Sequence, residues 1–500
     1  MRVLLHCNGG AATGVGHVLR ALALAEEAKA AGHSVTVVGH LDGEFLRRQV
    51  EAAGVGLVDV DRDANATVRD VAHDLGSDVV HVDSYDPDLR LGTEFDAAAG
   101  TRPLLSNVED GAFGRRDADL VVDPNFGAET EHRPPSSGVV LRGSRYAPLR
   151  RSVTGRQGDW VLRPVATKVL VVMGGTDPMG MTGPALRLLG STGLPLQVTA
   201  IVAPSAAGRY ADLVERYPGV HVELVPPMAD LPHALVAQDL VVSAAGTSVW
   251  EMCCLGVPMA LVATVENQRS GYARVVEAGA AIGLGTSPTE LEQPAAVRSL
   301  KAVLERPAER RALSDRARGV VDGLGAWRVV RAWEQLAGGR APTRPVVTLE
   351  LREASMADVR TLLDWRNDPA TRTASRDSTE VALAEHLTWL RSTLARDDRL
   401  LLLGSDADGD VGTVRWDRLG DEAWLVSITV APERRGQSLA RGLLKAGEEA
   451  LCERLGGTPL VYATVHQHND SSRRLFEASG YLLDLPVDRD GFLRYAKRLP

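Results

Sequence analysis

A chain of 500 residues, at roughly 150 per domain, calls for about three domains. Hydrophobic residues at 44% and charged residues at 24% are ordinary globular usage, which excludes disordered, collagenous and coiled-coil classes. The formal net charge of -9 argues against a nucleic-acid partner, which needs a concentrated basic surface, and leaves small charged ligands open. Aromatics are only 4%, so Ala, Val and Leu must fill the cores. The longest uncharged apolar stretch near the middle, Met252 to Val265, is about 14 residues, contains Pro258 and is too short to cross a bilayer. The opening Met1-Arg2-Val3-Leu4-Leu5-His6 has no sustained apolar core of a secretory signal, so a soluble, cytoplasmic protein with no membrane partner is expected. Cys7, Cys253, Cys254 and Cys452 form no C-x-x-C pair and no zinc spacing with His, so buried thiols and no metal are expected.

From Met1 to about Arg150, short Val/Leu runs alternate with Ala-rich amphipathic segments: Val3–Cys7, Val18–Ala31, Ser34–Val38 and Glu44–Ala53. This alternation predicts βα units around a parallel sheet, with further strands at Val79–Val82 and Leu120–Val122 and a loop at His132–Gly138. The pattern restarts with the strand Lys168–Met173, then a helix and the strand Leu196–Val202, which predicts a second Rossmann-like half. A helix is expected from Ala326 to Leu336. The Gly338–Pro345 stretch mixes Gly, Pro and charge and reads as a linker. Beyond it an α+β pattern is expected. Its strands are Val347–Arg352, Leu400–Leu403, Val411–Trp416, Ala423–Val430 and Leu460–Val465, and its helices are Met356–Trp365, Ser378–Ala395 and Ser438–Leu455. The division is therefore 1–155 and 156–337 as two doubly wound α/β domains, 338–346 as linker and 347–500 as the α+β domain.

Three glycine turns follow predicted strands. The first reads Gly14-Val15-Gly16-His17-Val18-Leu19-Arg20. Glycines let the backbone approach a ligand, and the helix start offers free amides. At that position the helix dipole disfavours imidazolium, so His17 is either a neutral base or a capping or solvated residue. The second turn, Gly174-Gly175-Thr176, is either a ligand turn in the same cleft or an ordinary tight turn. The third, Gly246-Thr247-Ser248, follows the strand Asp239–Val242, and its small residues suit a diphosphate. Glu251, one turn on, is placed either to hydrogen-bond ribose hydroxyls or to complete a capping box. Asn267 and Gln268, after the strand Met259–Thr264, add polar groups.

The order of these pieces resembles one family. They are Gly14-x-Gly16-His17 with Arg20, Asp83-Ser84-Tyr85, Asp123-Pro124-Asn125, Leu141-Arg142-Gly143-x-Arg145-Tyr146, Gly174-Gly175-Thr176-Asp177, Gly246-Thr247-Ser248 with Glu251, and Asn267-Gln268. Over roughly residues 1 to 335 they are similar to the UDP-sugar hydrolases of pseudaminic acid biosynthesis (PseG/SpsG-like), whose fold is that of the GT-B glycosyltransferases of MurG type. The resemblance implies hydrolysis of UDP-2,4-diacetamido-2,4,6-trideoxy-β-L-altropyranose to UDP and free sugar. It assigns His17 as general base on water, Gly246, Thr247 and Ser248 to the diphosphate and Glu251 to the ribose. Gly14, Gly16, Arg20, Tyr85, Gly174, Gly175, Thr176, Asn267 and Gln268 complete the implied nucleotide-sugar site. No metal is required.

In the last domain a strand runs into Val430-Ala431-Pro432-Glu433-Arg434-Arg435-Gly436-Gln437-Ser438-Leu439-Ala440, a basic glycine turn whose amides would face a pyrophosphate. Asn469-Asp470-x-Ser472-x-x-Leu475-Phe476-x-x-x-Gly480-Tyr481 follows the next strand. Over roughly residues 346 to 500 these resemble the GNAT acetyltransferases. The resemblance implies acetyl-CoA as cosubstrate on Val430, Arg435, Gly436, Ser438, Ala440 and Asn469. Ser438 stands where that family's loop has its first glycine, and Phe476 stands where many members have the Tyr that protonates the thiolate, which leaves Tyr481, His466 and His468 as candidate acids. Trp365-Arg366-Asn367-Asp368 resembles the acceptor-side segment of acetyltransferases acting on amino sugars or protein N-termini.

Together these readings give the expectation of a bifunctional enzyme that N-acetylates a UDP-linked 4-amino sugar and then hydrolyses it. The alternatives are a GT-B glycosyltransferase fused to an acetyltransferase for another amine, and a noncatalytic nucleotide-sugar sensor.

Overall fold

Continuous apolar runs such as Val169 to Val172 are what a strand covered by helices on both faces requires, and the chain builds two sheets from them. The computed structural model describes residues 1–10, 14–60, 65–86, 95, 102–130, 138–174, 177, 179–228, 230–338, 346–420 and 423–499. The chain divides into two units, Met1–Trp333 and Glu334–Pro500.

The first unit holds two parallel sheets. The first sheet comprises β1 (Arg2–Cys7), β2 (Ser34–Gly39), β3 (Gly56–Asp59), β4 (Val79–Asp83), β5 (Leu104–Val108), β6 (Leu120–Asp123) and β7 (Val139–Arg142), in the order β3-β2-β1-β4-β5-β6-β7. The second comprises β8 (Lys168–Val172), β9 (Leu196–Ile201), β10 (Val220–Val225), β11 (Leu240–Ala244), β12 (Met259–Val262) and β13 (Ile282–Gly285), in the order β10-β9-β8-β11-β12-β13. Each order reverses once, between β1 and β4 and between β8 and β11, and a crevice outside the carboxyl ends of the strands forms at such a reversal.

The strands that the sequence reading passes over are mainly edge or near-edge ones. β3, β7, β10 and β13 sit at or beside sheet edges, and half-exposed residues interrupt their apolar pattern. β5 is central, yet buried Ser106 and Asn107 break its apolar run. The loop expected at 132–138 falls mostly outside the described residues.

The second unit is one mixed sheet: β14 (Glu350–Glu353), β15 (Arg399–Asp406), β16 (Gly409–Leu419), β17 (Ala423–Val430), β18 (Leu460–His466), β19 (Leu482–Leu485) and β20 (Phe492–Arg498), in the order β14-β15-β16-β17-β18-β20-β19. All neighbours are antiparallel except β17 and β18. The helix Ala440–Leu455 lies against β16, where a side chain on Gly447 would collide with Val414. Leu443, Leu444 and Leu451 of that helix join Val414, Trp416 and Val461 in the core. The helices Val359–Asn367 and Leu383–Leu394 bury Leu362, Trp365 and Leu390 with Leu401 and Leu403 of β15.

Three expected boundaries move. The helix expected from Ser438 starts at Ala440, because Ser438 adopts a left-handed φ of 61° that no helix contains. The helix expected from Ser378 starts at Leu383. β14 begins at Glu350 rather than Val347. Among the described residues no helix is long and apolar enough to cross a membrane, and no cluster of His, Cys, Asp and Glu could hold a metal ion.

Candidate functional site

In the first unit, β4 pairs in parallel beside β1 with Cys7 opposite Asp83, so Asp83 ends its strand where the chain leaves β1 for the helix Gly16–Ala30. His17 and Arg20, one turn apart on that helix, both reach it. His17 Nδ1 lies 2.6 Å from Asp83 Oδ1. Arg20 donates from Nε to Oδ2 and from Nη2 to Oδ1, both at 2.8 Å. All three side chains are buried, and Asp83 is only 1% exposed. Burial pushes the Asp83 carboxyl up, but the Arg20 guanidinium and His17 outweigh it and hold the group well below the usual carboxylate range. A bidentate, charge-assisted pair of this kind fixes the carboxylate's orientation as well as its charge. The shorter contact of His17 Nδ1 is to Asp83, which assigns the Nδ1 proton to that bond and leaves Nε2 as the basic nitrogen.

Tyr85, two residues past Asp83, sets its ring edge-on to His17 at 4.5 Å between centroids. Its hydroxyl donates to Asp110, which also accepts from Asn125 Nδ2 at 2.7 Å. Asn267, from beyond β12 of the second sheet, donates to the Tyr85 hydroxyl at 3.3 Å. Gly14 takes a φ of 74° and exchanges two backbone hydrogen bonds with Gly10, closing the first glycine loop.

The two sheets meet across this loop. A Cβ on Gly16 would lie 3.1 Å from Thr247 Oγ1, so the first glycine turn abuts the third. Thr247 makes no side-chain cap for the helix Ser248–Leu255, so the box in which Glu251 would cap its own helix does not form. Glu251 instead lies buried 3.5 Å from Arg150, and burial raises its carboxyl against the pull of that arginine. Gln268 accepts from Thr264 through both N and Oγ1, and its amide nitrogen lies beside Gly246.

Gly174 has a φ of 80° and, with Ile201, Ala203, Arg209, Tyr210 and Pro227, lines a concavity at the carboxyl ends of β8 and β9. Gly175 and Thr176 lie outside the described residues. Of the sequence candidates, His17, Arg20, Tyr85 and Asn267 thus form one connected group, with Gly16, Thr247, Gly246 and Gln268 against it. Sequence reasoning placed no role on Asp83, Asp110 or Arg150. The one available signal was Asp83-Ser84-Tyr85 at a strand end.

The second unit carries a different kind of site. β17 and β18 pair from Ala423 with Leu460 to Val426 with Ala463, and then part. From Ser427 to Val430 the β17 edge facing β18 is therefore open, a notch whose backbone groups a linear ligand can pair with. The glycine turn follows directly, with Gly436 at φ 78° and Ser438 at φ 61°. Ser438 thus holds the conformation that glycine adopts without penalty. Ala440 opens the helix Ala440–Leu455, which has no side-chain cap. Arg435 pairs with Asp368 at 2.7 Å, and Arg434 with Asp406 at 2.6 Å. Asn469 caps the helix Asp470–Ala478 by accepting from Ser472 N at 3.1 Å, which fixes its side chain at the helix start.

Phe476 is buried edge-on to Tyr481 at 5.0 Å. Tyr481 is 1% exposed, and burial drives its phenol far above the ordinary range, so it belongs to the core rather than to proton transfer. His466 stands at the end of β18, with its Nδ1 3.4 Å from His468 N.

Residues 348–482 match the family model described as Acetyltransferase (GNAT) domain. An uncharacterized protein of Methanocaldococcus jannaschii is 23% identical over 288 residues, 54% of this chain and 57% of that protein. The spore coat polysaccharide biosynthesis protein SpsG of Bacillus subtilis is 22% identical over 199 residues, 39% of this chain and 58% of that protein. The chain thus spans less than two thirds of the length of each of these relatives. Among solved structures, MurG of Acinetobacter baumannii aligns at 18% identity over 67% of this chain and 99% of its own, with a TM-score of 0.48. The chain thus joins two Rossmann-like parallel sheets to a mixed sheet whose residues 348–482 match the GNAT acetyltransferase model, and over 39% of its length it is similar in sequence to SpsG.

Proposed function

We propose that the chain is a bifunctional nucleotide-sugar enzyme. Its GNAT domain acetylates the amine of a UDP-linked 4-amino sugar, and its first unit hydrolyses the resulting UDP-diacetamido sugar to free sugar and UDP. The reading rests above all on the buried His17, Asp83 and Arg20 group set against Thr247 across the cleft.

In the hydrolytic step His17 Nε2 takes a proton from water as the water oxygen bonds to the anomeric carbon. The bond from that carbon to the diphosphate oxygen breaks, and its electron pair leaves with UDP. Asp83 keeps the Nδ1 proton in place and stabilises the imidazolium that forms. Arg20 keeps Asp83 ionised and oriented. The amides of Thr247 and Ser248, at a helix start without a side-chain cap, receive the diphosphate charge beside Gly246, whose own N–H donates to Ala244 O, and this makes UDP a competent leaving group without a metal. Glu251 hydrogen-bonds the ribose, with Arg150 holding it in place.

In the second unit the notch between β17 and β18 and the glycine turn suit an extended thioester ending in a pyrophosphate. Val430 and its neighbours offer the backbone edge, Arg435, Gly436, Ser438 and Ala440 the anion-binding turn, and Asn469 an amide. Acetyl-CoA bound there supplies an activated acetyl group. The chain's own residues orient it and exclude water.

Incubation with UDP-4-amino-4,6-dideoxy-N-acetyl-altrosamine, with and without acetyl-CoA, tests the reading by mass spectrometry and phosphorus NMR. Free diacetamido sugar and UDP appearing only with acetyl-CoA is the expected result. An acetylated UDP-sugar that accumulates intact contradicts the hydrolase half. Cleavage of pre-acetylated substrate without any acetylation contradicts the acetyltransferase half.

A further inference from the structure

The two arginines of the glycine turn are held differently. Arg434 is 11% exposed and is tied to Asp406 at 2.6 Å and to Gln437 at 3.1 Å, within its own end of the sheet. Arg435 is 36% exposed and reaches across to the segment after the helix Val359–Asn367. There its Nη2 donates to Asp368 Oδ1 at 2.7 Å and to Thr371 Oγ1 at 2.8 Å. Asp368 is itself fixed, because its Oδ1 caps the helix Pro369–Thr373 by accepting from Thr371 N at 3.0 Å and also accepts from the Thr371 hydroxyl at 3.2 Å.

We propose that Asp368 and Thr371 are positioning residues that hold Arg435 by one nitrogen and present the remaining guanidinium donors to the pyrophosphate of coenzyme A. A guanidinium is a planar fork with five N–H donors, so anchoring one corner leaves a bidentate edge for a phosphate and removes rotamer freedom before the anion arrives. The same contact ties the acceptor-side segment Trp365-Arg366-Asn367-Asp368 to the cofactor turn, so cofactor binding and the placement of that segment are mechanically linked. The inference rests on the reading that Arg435 faces the pyrophosphate, and the test separates the two.

The test is a double-mutant cycle on the full chain, with coenzyme A binding measured by calorimetry for wild type, Arg435→Ala, Asp368→Ala, Asp368→Asn and Arg435→Ala/Asp368→Ala. Asp368→Asn keeps a helix-capping oxygen but loses the charge. Arg435→Ala is expected to weaken binding, with Asp368→Ala and Asp368→Asn each weakening it about three- to tenfold. In the Arg435→Ala background, Asp368→Ala is expected to change nothing further. Tighter binding on loss of Asp368 would make the carboxylate a competitor of the pyrophosphate and overturns the proposal. So does equal weakening in both backgrounds, or wild-type affinity for Asp368→Asn. Unchanged affinity for Arg435→Ala overturns the reading beneath it as well.

Discussion

The two candidate sites solve the handling of charge in opposite ways. In the first unit the proposed chemistry sits on side chains. His17, Arg20 and Asp83 are buried together, and each depends on the others for its charge and orientation. In the second unit the proposed site rests mainly on the backbone, in the open edge of β17 and the glycine turn, with the partly exposed Arg435 held beside them by Asp368 and Arg434 tied to Asp406. A side-chain site of the first kind should fail abruptly when one group is changed, and a backbone site should degrade gradually and respond to conformation more than to side-chain identity.

The largest expected effect is at His17. Removing a general base costs roughly 100- to 10,000-fold in turnover, so His17→Ala should abolish measurable UDP release in a steady-state assay while leaving acetyl transfer unchanged. Loss of both activities together would break the separation of the two sites.

Asp83→Asn comes next and should act on stability as well as rate. It leaves the buried Arg20 charge uncompensated, a change worth about 3–5 kcal/mol, read as a lower melting temperature alongside lost hydrolysis. The sign of the pH dependence follows from the depressed Asp83 carboxyl. Stability from its ionised form is fully present above the unfolded carboxylate value, about 4, and is lost as pH falls below it. Acid melts of wild type should therefore steepen below that point, and those of Asp83→Asn should be flatter.

Ser438→Gly sharpens the contrast from the other side. It relieves a left-handed backbone at a non-glycine residue, so it should stabilise the second unit by about 1 kcal/mol and tighten coenzyme A binding, as measured by thermal shift with and without ligand. A weaker ligand response would mean that the serine hydroxyl rather than the turn conformation is what the ligand needs.

The smallest effect is expected at Asp358, away from both sites. The hydrogen bond from Arg352 holds its carboxyl down at about 2, so Asp358→Ala should cost modest stability at neutral pH and progressively less as pH falls from about 4. Chemical denaturation at two pH values checks this.

Much of this architecture is legible because glycine turns at the ends of apolar strands announce themselves locally. Gly14, Gly16, Gly246 and Gly436 each fall where a strand gives way to a turn or helix. The partners of those turns are not local. Asp83 meets His17 only because the strand order places β4 beside β1, 66 residues along the chain. Arg150 meets Glu251 because the segment Ala147–Val153 packs into the same core as the helix Ser248–Leu255. Tyr481 looked like an available acid because exposure is not written in the local pattern, and the packing of Phe476 and Tyr495 decides it. The departure at Ser438 was visible in the sequence, but its cost becomes visible only in the φ angle.

The most direct test of the central claim is to follow hydrolysis of the UDP-diacetamido sugar by phosphorus NMR in wild type and His17→Ala, with mass spectrometry of the sugar product. Wild type should release UDP and unconjugated free sugar, and the variant neither. Equal UDP release from His17→Ala, or a sugar recovered only as a conjugate, would contradict that claim.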